Sequence, residues 1–442
     1  MKIELAGHYG YRRLLKSAIP SMLMMVIGSM YSIIDGLFVS NCVGLTPFAA
    51  LNIVWPAVMV VGAMGLMIGT GGSAIISMLL GQRNLEKANE TFTSLVAFTV
   101  LLAVLFATPM FIFMPQIAAL LGANTPELLH NGVVYGRICA AGMPAFMLQM
   151  AFQSFFMAAE KPELGTKLSI ASGLTNIGFD AFFILVCGWG LAGAALATVL
   201  GFCATAFYAL WYFAKKRKPN ELRFTRINFD KRILVRTCTN GSSEYIGNIA
   251  FSIVSICYNL QLIKFYGEAG VAAYSVIMYI GYIFSAIFIG YNLTVGPVIG
   301  FNYGAGNRSE LHSLLNKSIK LMLCIGACFV VVAQLIAKPA AMIFISGDPY
   351  AMELTIKAQR IYMLSFLIAG VNMFTSAWFT GLGNGYISAI SAFCRSLVFE
   401  LGAVFLLPAL FGADGIWFSV IVAETCALCL CIFLLRHFRL ER

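Results

Sequence analysis

Long apolar runs recur along the whole chain, and they constrain its fold more than any other feature of the sequence. An α-helix needs about 20 apolar residues to cross the roughly 30 Å of hydrocarbon in a bilayer, and each run is long enough. Strands of a membrane β-barrel would instead alternate in polarity over segments of about 10 residues. The sequence therefore predicts an all-α integral membrane protein with twelve transmembrane helices. The predicted spans are 14–40, 48–80, 91–114, 131–158, 164–187, 190–214, 237–265, 271–303, 313–336, 354–380, 385–410 and 414–437.

The distribution of Lys and Arg predicts the orientation of these spans. Basic side chains are concentrated at residues 2–16, at residues 436–442 and in the loops that would face the same side. Because cytoplasmic loops carry the excess of Lys and Arg, we expect both termini in the cytoplasm and the protein in the bacterial cytoplasmic membrane. The net charge of +10 is then explained by loops beside anionic lipid, so we predict the bilayer as a partner and no nucleic acid. The first apolar run is too long for a signal-peptide core and is expected to remain as helix one.

The second half of the chain repeats the first. A shift of 223 residues superposes Gly44 on Gly267, Gly81 on Gly304, Asn84 on Asn307, Arg137 on Arg360 and Phe156 on Phe379. A constant offset over so many spans indicates internal duplication, with the two six-helix bundles related by an axis along the membrane normal. We predict an N-lobe at 1–214, a basic cytoplasmic linker at 215–236 and a C-lobe at 237–442, with a central cleft between the pseudo-symmetric lobes.

Helix-breaking residues occur in both repeats, at "GTGGSA" (69–74) and at "NLTVGP" (292–297). Interrupted helices in matching places are typical of a transport path. Small residues are equally typical of helices that pack closely inside a membrane. The sequence leaves both interpretations open.

Four polar residues of the N-lobe spans are candidates for one site. Asp35 lies in span one, Asn176 and Asp180 lie on one face of span five, and Thr198 lies in span six. Counted inward at 1.5 Å per residue, all four fall roughly 9 to 18 Å below the outer surface. Oxygen ligands suit a proton or a hard cation such as Na+, and two close carboxylates cannot both ionise cheaply in a low dielectric. We therefore predict a site that binds H+ or Na+, with a static hydrogen-bonded cluster as the alternative.

Pro20 removes a backbone hydrogen bond from the helix that carries Asp35. It therefore predicts a bending point, which protonation of Asp35 would bias. A static kink is the alternative interpretation.

The second lobe carries different polar residues. Tyr258 and Ala403 take the places of Asp35 and Asp180. The candidate polar site of the C-lobe consists of Glu244, Arg395, Glu400 and Glu424. We favour a structural ion pair of Arg395 with the acids of spans eleven and twelve over a second cation site or a substrate contact.

The ordered set "AIPSMLMMVIGSMYSIIDGLFVS", "LLGQRNLEKAN" and "NYGAGNRSELH", together with the two six-helix halves, resembles the MATE (multidrug and toxic compound extrusion) transporters in their bacterial MepA-like branch. The resemblance implies export of bulky, often cationic and aromatic compounds in exchange for H+ or Na+. It also implies a cation site at Asp35, Asn176, Asp180 and Thr198, which match the family residues one by one. Glu244 resembles the helix-seven acid of another branch, but span ten has no Asp to match its partner.

Other functions fit the residues less well. A flippase for lipids or lipid-linked sugars, the alternative transport reading, needs several basic side chains in the central cavity, and few are found near mid-span. An enzyme is not predicted, because no HExxH, GxSxG or Walker motif occurs. We expect a monomer that takes small hydrophobic or cationic substrates against Met and Phe side chains, with no cofactor beyond the coupling ion. The sequence leaves open whether that ion is H+ or Na+.

Overall fold

The structure is a computed structural model that describes residues 5–215, 221–345 and 348–438. Lys2, Arg439 and Arg442, which contributed to the predicted orientation, and residues 216–220 of the predicted linker lie outside these ranges. The described chain is helical, without a β-strand. The helices are α1 Tyr11–Phe38, α2 Leu45–Gly81, α3 Leu85–Ile112, α4 Met114–Leu120, α5 Pro126–Ala141, α6 Met143–Ala158, α7 Pro162–Asp180, α8 Gly190–Ala214, α9 Lys231–Gly304, α10 Arg308–Phe344, α11 Pro349–Tyr362, α12 Phe366–Gly381, α13 Gly385–Phe393, α14 Glu400–Phe411 and α15 Gly415–His437.

The predicted number of spans agrees with these helices. Ten continuous helical stretches of the described chain are long and apolar enough to cross a membrane. The pair α5 and α6, bent by 58°, supplies a further span. Helix α9 holds two spans, because its backbone turns at Gly267, where φ is 60° and ψ is −149°. Only glycine adopts this conformation readily, so Gly267 joins spans seven and eight.

We call the bundle formed by residues 11–214 the N-lobe and the bundle formed by residues 231–437 the C-lobe. Buried aromatic side chains fill both: Phe92, Phe155 and Phe213 pack together in the N-lobe, and Phe284 stacks on Phe329 in the C-lobe. Between apolar helices in lipid, such packing and close backbone approach hold the bundle together, since lipid tails are as apolar as the side chains. The limits of the predicted domains stay a prediction.

Glycine at residues 69–74 serves close packing, and neither predicted breaker interrupts its helix. Helix α2 runs unbroken through 69–74, and α9 runs unbroken through 292–297 with Pro297 inside it. A Cβ at Gly71 would overlap the carbonyl oxygen of Thr237, and one at Gly241 would overlap that of Met67. The glycines therefore let the backbones of α2 and α9 touch across the two lobes.

The contact between α2 and α9 is reciprocal. A Cβ at Gly81 would overlap the carbonyl oxygen of Phe301, and one at Gly304 would overlap that of Met78. Both pairs are related by the same shift of 223 residues, so the contact repeats the duplication of the chain. We call this end of the bundle, marked by Gly81 and Gly304, the base. The lobes are closed against each other there.

The described part of the linker crosses the base in an extended conformation. Backbone N–H groups of Arg223, Thr225 and Asn228 donate to the side chains of Asn89, Thr93 and Ser94 on α3, over 2.8–2.9 Å. These bonds satisfy backbone donors that no helix pairs. Helix α9 then begins at Lys231, where the Asp230 side chain caps it.

Candidate functional site

The four polar residues predicted in the N-lobe come together in the structure, and we call them the N-lobe cluster. Asp35 lies in the last turn of α1, and its carboxyl lies beside the side chains of Asp180 and Asn176 on α7. The Asn176 amide donates to the Thr198 hydroxyl on α8 over 3.2 Å. Three helices therefore meet at one group of oxygens.

Local features of these helices bring the oxygens together. Asp35 lies close before a π-helical turn, Val39–Val43, and Asp180 lies directly before another, Ala181–Val186. Single π turns inside helices occur frequently at functional sites. Helices α7 and α8 also approach closely at Gly201, whose carbonyl oxygen accepts from the Ser172 hydroxyl over 2.9 Å. This approach brings Asn176 within reach of Thr198.

The N-lobe cluster has more acceptors than donors. Asp180 is 0% exposed and Asn176 is 2% exposed. Within the described chain, both carboxylate oxygens of Asp180, Oδ1 of Asp35 and Oδ1 of Asn176 are buried without a hydrogen-bond partner. Buried acceptors without partners are costly, and two buried carboxylates are more so. A proton or a hard cation bound among them would relieve that cost, so the donor set fits the predicted ion.

A residue that the sequence analysis missed completes this site. Tyr135 on α5 is 1% exposed and lies close enough to interact electrostatically with both Asp35 and Asp180. Its hydroxyl is a potential donor to either carboxylate. Tyrosine is common in apolar spans, so only proximity in the fold distinguishes this one.

Pro20 lies inside α1, which continues through it. Its carbonyl oxygen accepts a hydrogen bond of 2.7 Å from the Thr166 hydroxyl on α7. The next residue, Ser21, is hydrogen-bonded to Thr294 on α9. The predicted bending point is therefore attached to both lobes.

In the C-lobe, Arg395 and Glu424 form a two-pronged ion pair. Nη2 and Nε of Arg395 both donate to Oε1 of Glu424, over 2.7 and 2.9 Å. The Asn372 amide donates to Oε2 of the same carboxylate over 2.6 Å. Glu400 and Glu244 lie near Arg395, but their carboxylates make no ion pair within the described chain. The structure thus pairs Arg395 with the acid of span twelve and leaves the acid of span eleven apart.

A cavity of about 400 Å³ lies beside this ion pair. Met25 and Ser29 of α1 reach it from the N-lobe, and the remaining wall belongs to the C-lobe. Its carboxylates are those of Glu244, Glu400 and Glu424, and Arg395 is its basic side chain. Its large apolar side chains are Phe251, Tyr274, Met278, Tyr282, Tyr362, Phe366 and Met373. Volume and lining are those of a small-molecule site.

Comparison with known proteins identifies the family. A sequence model of the MatE family matches residues 20–182 and 245–405. The chain belongs to the MatE family. Two related matches in one chain, which begin 225 residues apart, agree with the predicted duplication. This MatE protein is similar to the multidrug export protein MepA of Staphylococcus haemolyticus, with 24% identity over 99% of this chain and 97% of that protein. Its likeness to MepA of Staphylococcus aureus strain MRSA252 is 25% over the same shares.

Solved structures show the same fold. One is a MATE protein in complex with MaL6, with a TM-score of 0.91 at 23% identity over 97% of this chain and 96% of that one. Another is the outward-facing conformation of a multidrug resistance MATE family transporter of the MOP superfamily, with a TM-score of 0.88 at 23% identity over the same shares. The predicted fold class and the predicted MepA-like MATE family are therefore confirmed. The roles of individual site residues stay predictions.

The ion pair gives a testable prediction for this MatE protein. Arg395→Gln should lower the free energy of unfolding by about 3–5 kcal/mol, because it leaves Glu424, 7% exposed, buried without its counter-ion. Glu424→Gln should cost less, since Glu400 remains near Arg395. The double variant should recover part of the loss. Thermal unfolding of the purified protein in detergent checks this order.

A matched control is available at an exposed ion pair. Lys357 and Asp414 interact over 2.8 Å, with side chains 53% and 51% exposed. The Lys357 ammonium holds the pKa of the Asp414 carboxyl below its usual range. Exposed pairs contribute only about 0–1 kcal/mol, so Lys357→Gln should leave the melting temperature nearly unchanged. Equal losses for Lys357→Gln and Arg395→Gln would contradict a special role of the buried pair.

Proposed function

We propose that this protein is a secondary active exporter of small hydrophobic or cationic aromatic compounds, driven by antiport of H+ or Na+. The observation that carries the proposal is a cavity lined by both lobes together with a separate cluster of buried acids in the N-lobe. The names of its MepA relatives as multidrug export proteins support it. One chain supplies both lobes and the cavity, so we propose that a monomer is sufficient.

The coupling ion is proposed to bind at the N-lobe cluster. With the site empty, Asp35 and Asp180 hold one or two negative charges in a buried place, which is costly. A proton or Na+ taken up from outside neutralises them and favours a different packing of α1 against α7. Substrate binding in the cavity would compete with that packing through α1, because Met25 and Ser29 on the same helix line the cavity.

The cavity is proposed to recognise a cation. Arg395 neutralises Glu424, whereas Glu244 and Glu400 have no counter-ion of their own in the described chain. Aromatic faces such as those of Phe251 and Tyr282 add cation–π attraction, and Met278 and Met373 adapt to different shapes. The one basic side chain of this lining is already paired, which favours cationic compounds over the pyrophosphate of a lipid-linked sugar.

The base is proposed to face the cytoplasm. Among the described residues Arg12, Arg83, Lys161, Arg232 and Arg308 lie in or near loops at this end, in keeping with the excess of positive charge on the cytoplasmic side. The closed base then corresponds to an outward-facing arrangement. Alternating access requires a second arrangement in which the base opens.

Efflux of ethidium from energy-depleted cells tests the proposed function. Cells that express the protein should expel ethidium when a pH gradient or a Na+ gradient is imposed, and only one of the two should be effective. Cells with the empty vector provide the baseline. No gradient-driven efflux above that baseline, despite protein in the membrane, would contradict the export proposal and bring the flippase forward.

A further inference from the structure

The segment that precedes α1 lies across the base and is attached chiefly to the C-lobe. We call residues 5–10 the N-terminal strap. Leu5 is 2% exposed and Tyr9 is 0% exposed, and both belong to the apolar core formed by C-lobe residues such as Leu311 and Leu314. A short segment outside the first helix would ordinarily be solvated. Two of its side chains are instead buried in the lobe that the chain reaches only after residue 230.

Polar contacts attach the strap to α10. Glu310, which is 5% exposed, accepts from the backbone N–H of Tyr9 over 2.8 Å and contacts Nδ1 of His8 over 2.6 Å. One turn further along the same face, the Lys317 ammonium donates to the Tyr9 carbonyl oxygen over 2.6 Å. Both backbone groups of Tyr9 are thereby held by charged side chains of one C-lobe helix, which makes these bonds strong.

Contact of the strap with the N-lobe is slighter. The backbone N–H of Leu5 donates to Oε1 of Glu160 over 2.8 Å. Glu160 lies between α6 and α7 with a φ of 59°, in the left-handed region that non-glycine residues seldom adopt. One hydrogen bond to a turn therefore opposes three contacts to α10 and two buried side chains.

The first part of α1 continues the attachment to the C-lobe. Leu14 and Ala18 belong to the same C-lobe core as Leu5 and Tyr9. Ser21 is hydrogen-bonded to Thr294, and a Cβ at Gly290 would lie 2.5 Å from Cα of Met22, so α1 and α9 touch there. Beyond this point the helix changes lobes.

The second part of α1 belongs to the N-lobe. Met24 and Val39 are buried in the two N-lobe cores, and Asp35 lies in the N-lobe cluster. The Thr166 hydroxyl of α7 attaches the N-lobe directly at the Pro20 carbonyl. Helix α1 therefore crosses between lobes at Pro20 and Ser21.

We propose that residues 5–19 move as part of the C-lobe, anchored by Glu310 and Lys317, so that separation of the lobes at the base bends α1 at Pro20 and moves Asp35. The proposal rests on the alternating access proposed above and adds a positioning role for Glu310 and Lys317. The hydrogen bond between Leu5 and Glu160 is the strap contact that breaks when the base opens. The strap thus links the opening of the base to the N-lobe cluster.

Distances between spin labels test this assignment without depending on transport. The labels are placed pairwise at Gly10→Cys on the strap, Ser313→Cys on the C-lobe and Ala159→Cys on the N-lobe, after replacement of the twelve native cysteines. Gly10 has open space where a side chain would begin, and Ser313 lies on the face of α10 that bears Glu310 and Lys317. Distances are measured in liposomes at high and low pH, with and without Na+.

The proposal expects one distance to stay fixed and two to change together. The distance from Gly10 to Ser313 should keep one narrow distribution in all conditions, while those from Ala159 to Gly10 and to Ser313 should lengthen in parallel when the base opens. A strap that follows Ala159, or that leaves both lobes, overturns the proposal alone. If no condition changes the distance from Ala159 to Ser313, alternating access fails and this proposal fails with it.

Removal of the anchors provides a second test. Glu310→Ala combined with Lys317→Met should broaden the distance distribution from Gly10 to Ser313 and lower ion-driven ethidium efflux at least about fivefold, the lower end of typical coupling between sites. Lys320→Met, an exposed position on the same helix, is the matched control and should change neither. A narrow distribution with wild-type efflux in the anchor variant overturns the positioning role.

Discussion

Asp35→Asn should abolish the dependence of efflux on the ion gradient. Asparagine keeps the size of the side chain and its position beside Asp180 and Asn176, but it can neither ionise nor release a proton. Coupling between two sites is typically about 1–3 kcal/mol, or about 5–150-fold, so gradient-driven efflux of ethidium should fall at least about fivefold. The rate should become equal with and without the imposed gradient. The measurement compares initial efflux rates at equal amounts of protein in the membrane.

The control for Asp35→Asn is Asp414→Asn, the same chemical change at an acid that lies outside the helices and pairs with Lys357. It should leave efflux as in the wild type. If Asp35→Asn retained the response of the wild type to the gradient, the N-lobe cluster would be a static polar contact. Coupling would then belong to Glu244 or Glu400, which face the cavity.

Much of the fold follows from the sequence because lipid restricts the choice of structure. Uninterrupted apolar runs must be helices, and their depth is set by the rise per residue. This is why Asp35, Asn176, Asp180 and Thr198 were expected at similar depth and lie in one cluster. Span eight and span seven were also expected as two helices, which Gly267 joins by a turn.

Features that depend on contacts between distant segments were not predictable in the same way. Tyr135 has no sequence mark that separates it from other tyrosines in apolar spans. The strap is too short for a periodic pattern, and its role depends on Glu310, some 300 residues away. Glycines at 69–74 suited either an interrupted helix or close packing, and only the opposite backbone of α9 decides between them. Residue type and depth predict a site, whereas partners across the lobes require the fold.

Gly241→Ala should shift the protein away from the arrangement with a closed base. A Cβ at Gly241 would overlap the backbone oxygen of Met67, and backbone cannot move aside as a side chain can. Overpacking typically costs about 1–3 kcal/mol, so α2 and α9 should separate and the closed arrangement should lose about 5–150-fold in population. Ethidium efflux should fall accordingly, since export needs both arrangements. The distance between labels at Ala159 and Ser313 should lengthen in the same variant.

The matched control for Gly241→Ala is Gly402→Ala, which has no atom within 4 Å of the new methyl group and should be neutral or slightly stabilising. Comparison of the two separates the effect of a methyl group at the lobe contact from that of replacing any helical glycine. If Gly241→Ala kept both the wild-type distance and the wild-type efflux, the contact between α2 and α9 would tolerate a wider spacing. The closed base would then depend on other contacts, among them the strap and the hydrogen bond of Ser21 with Thr294.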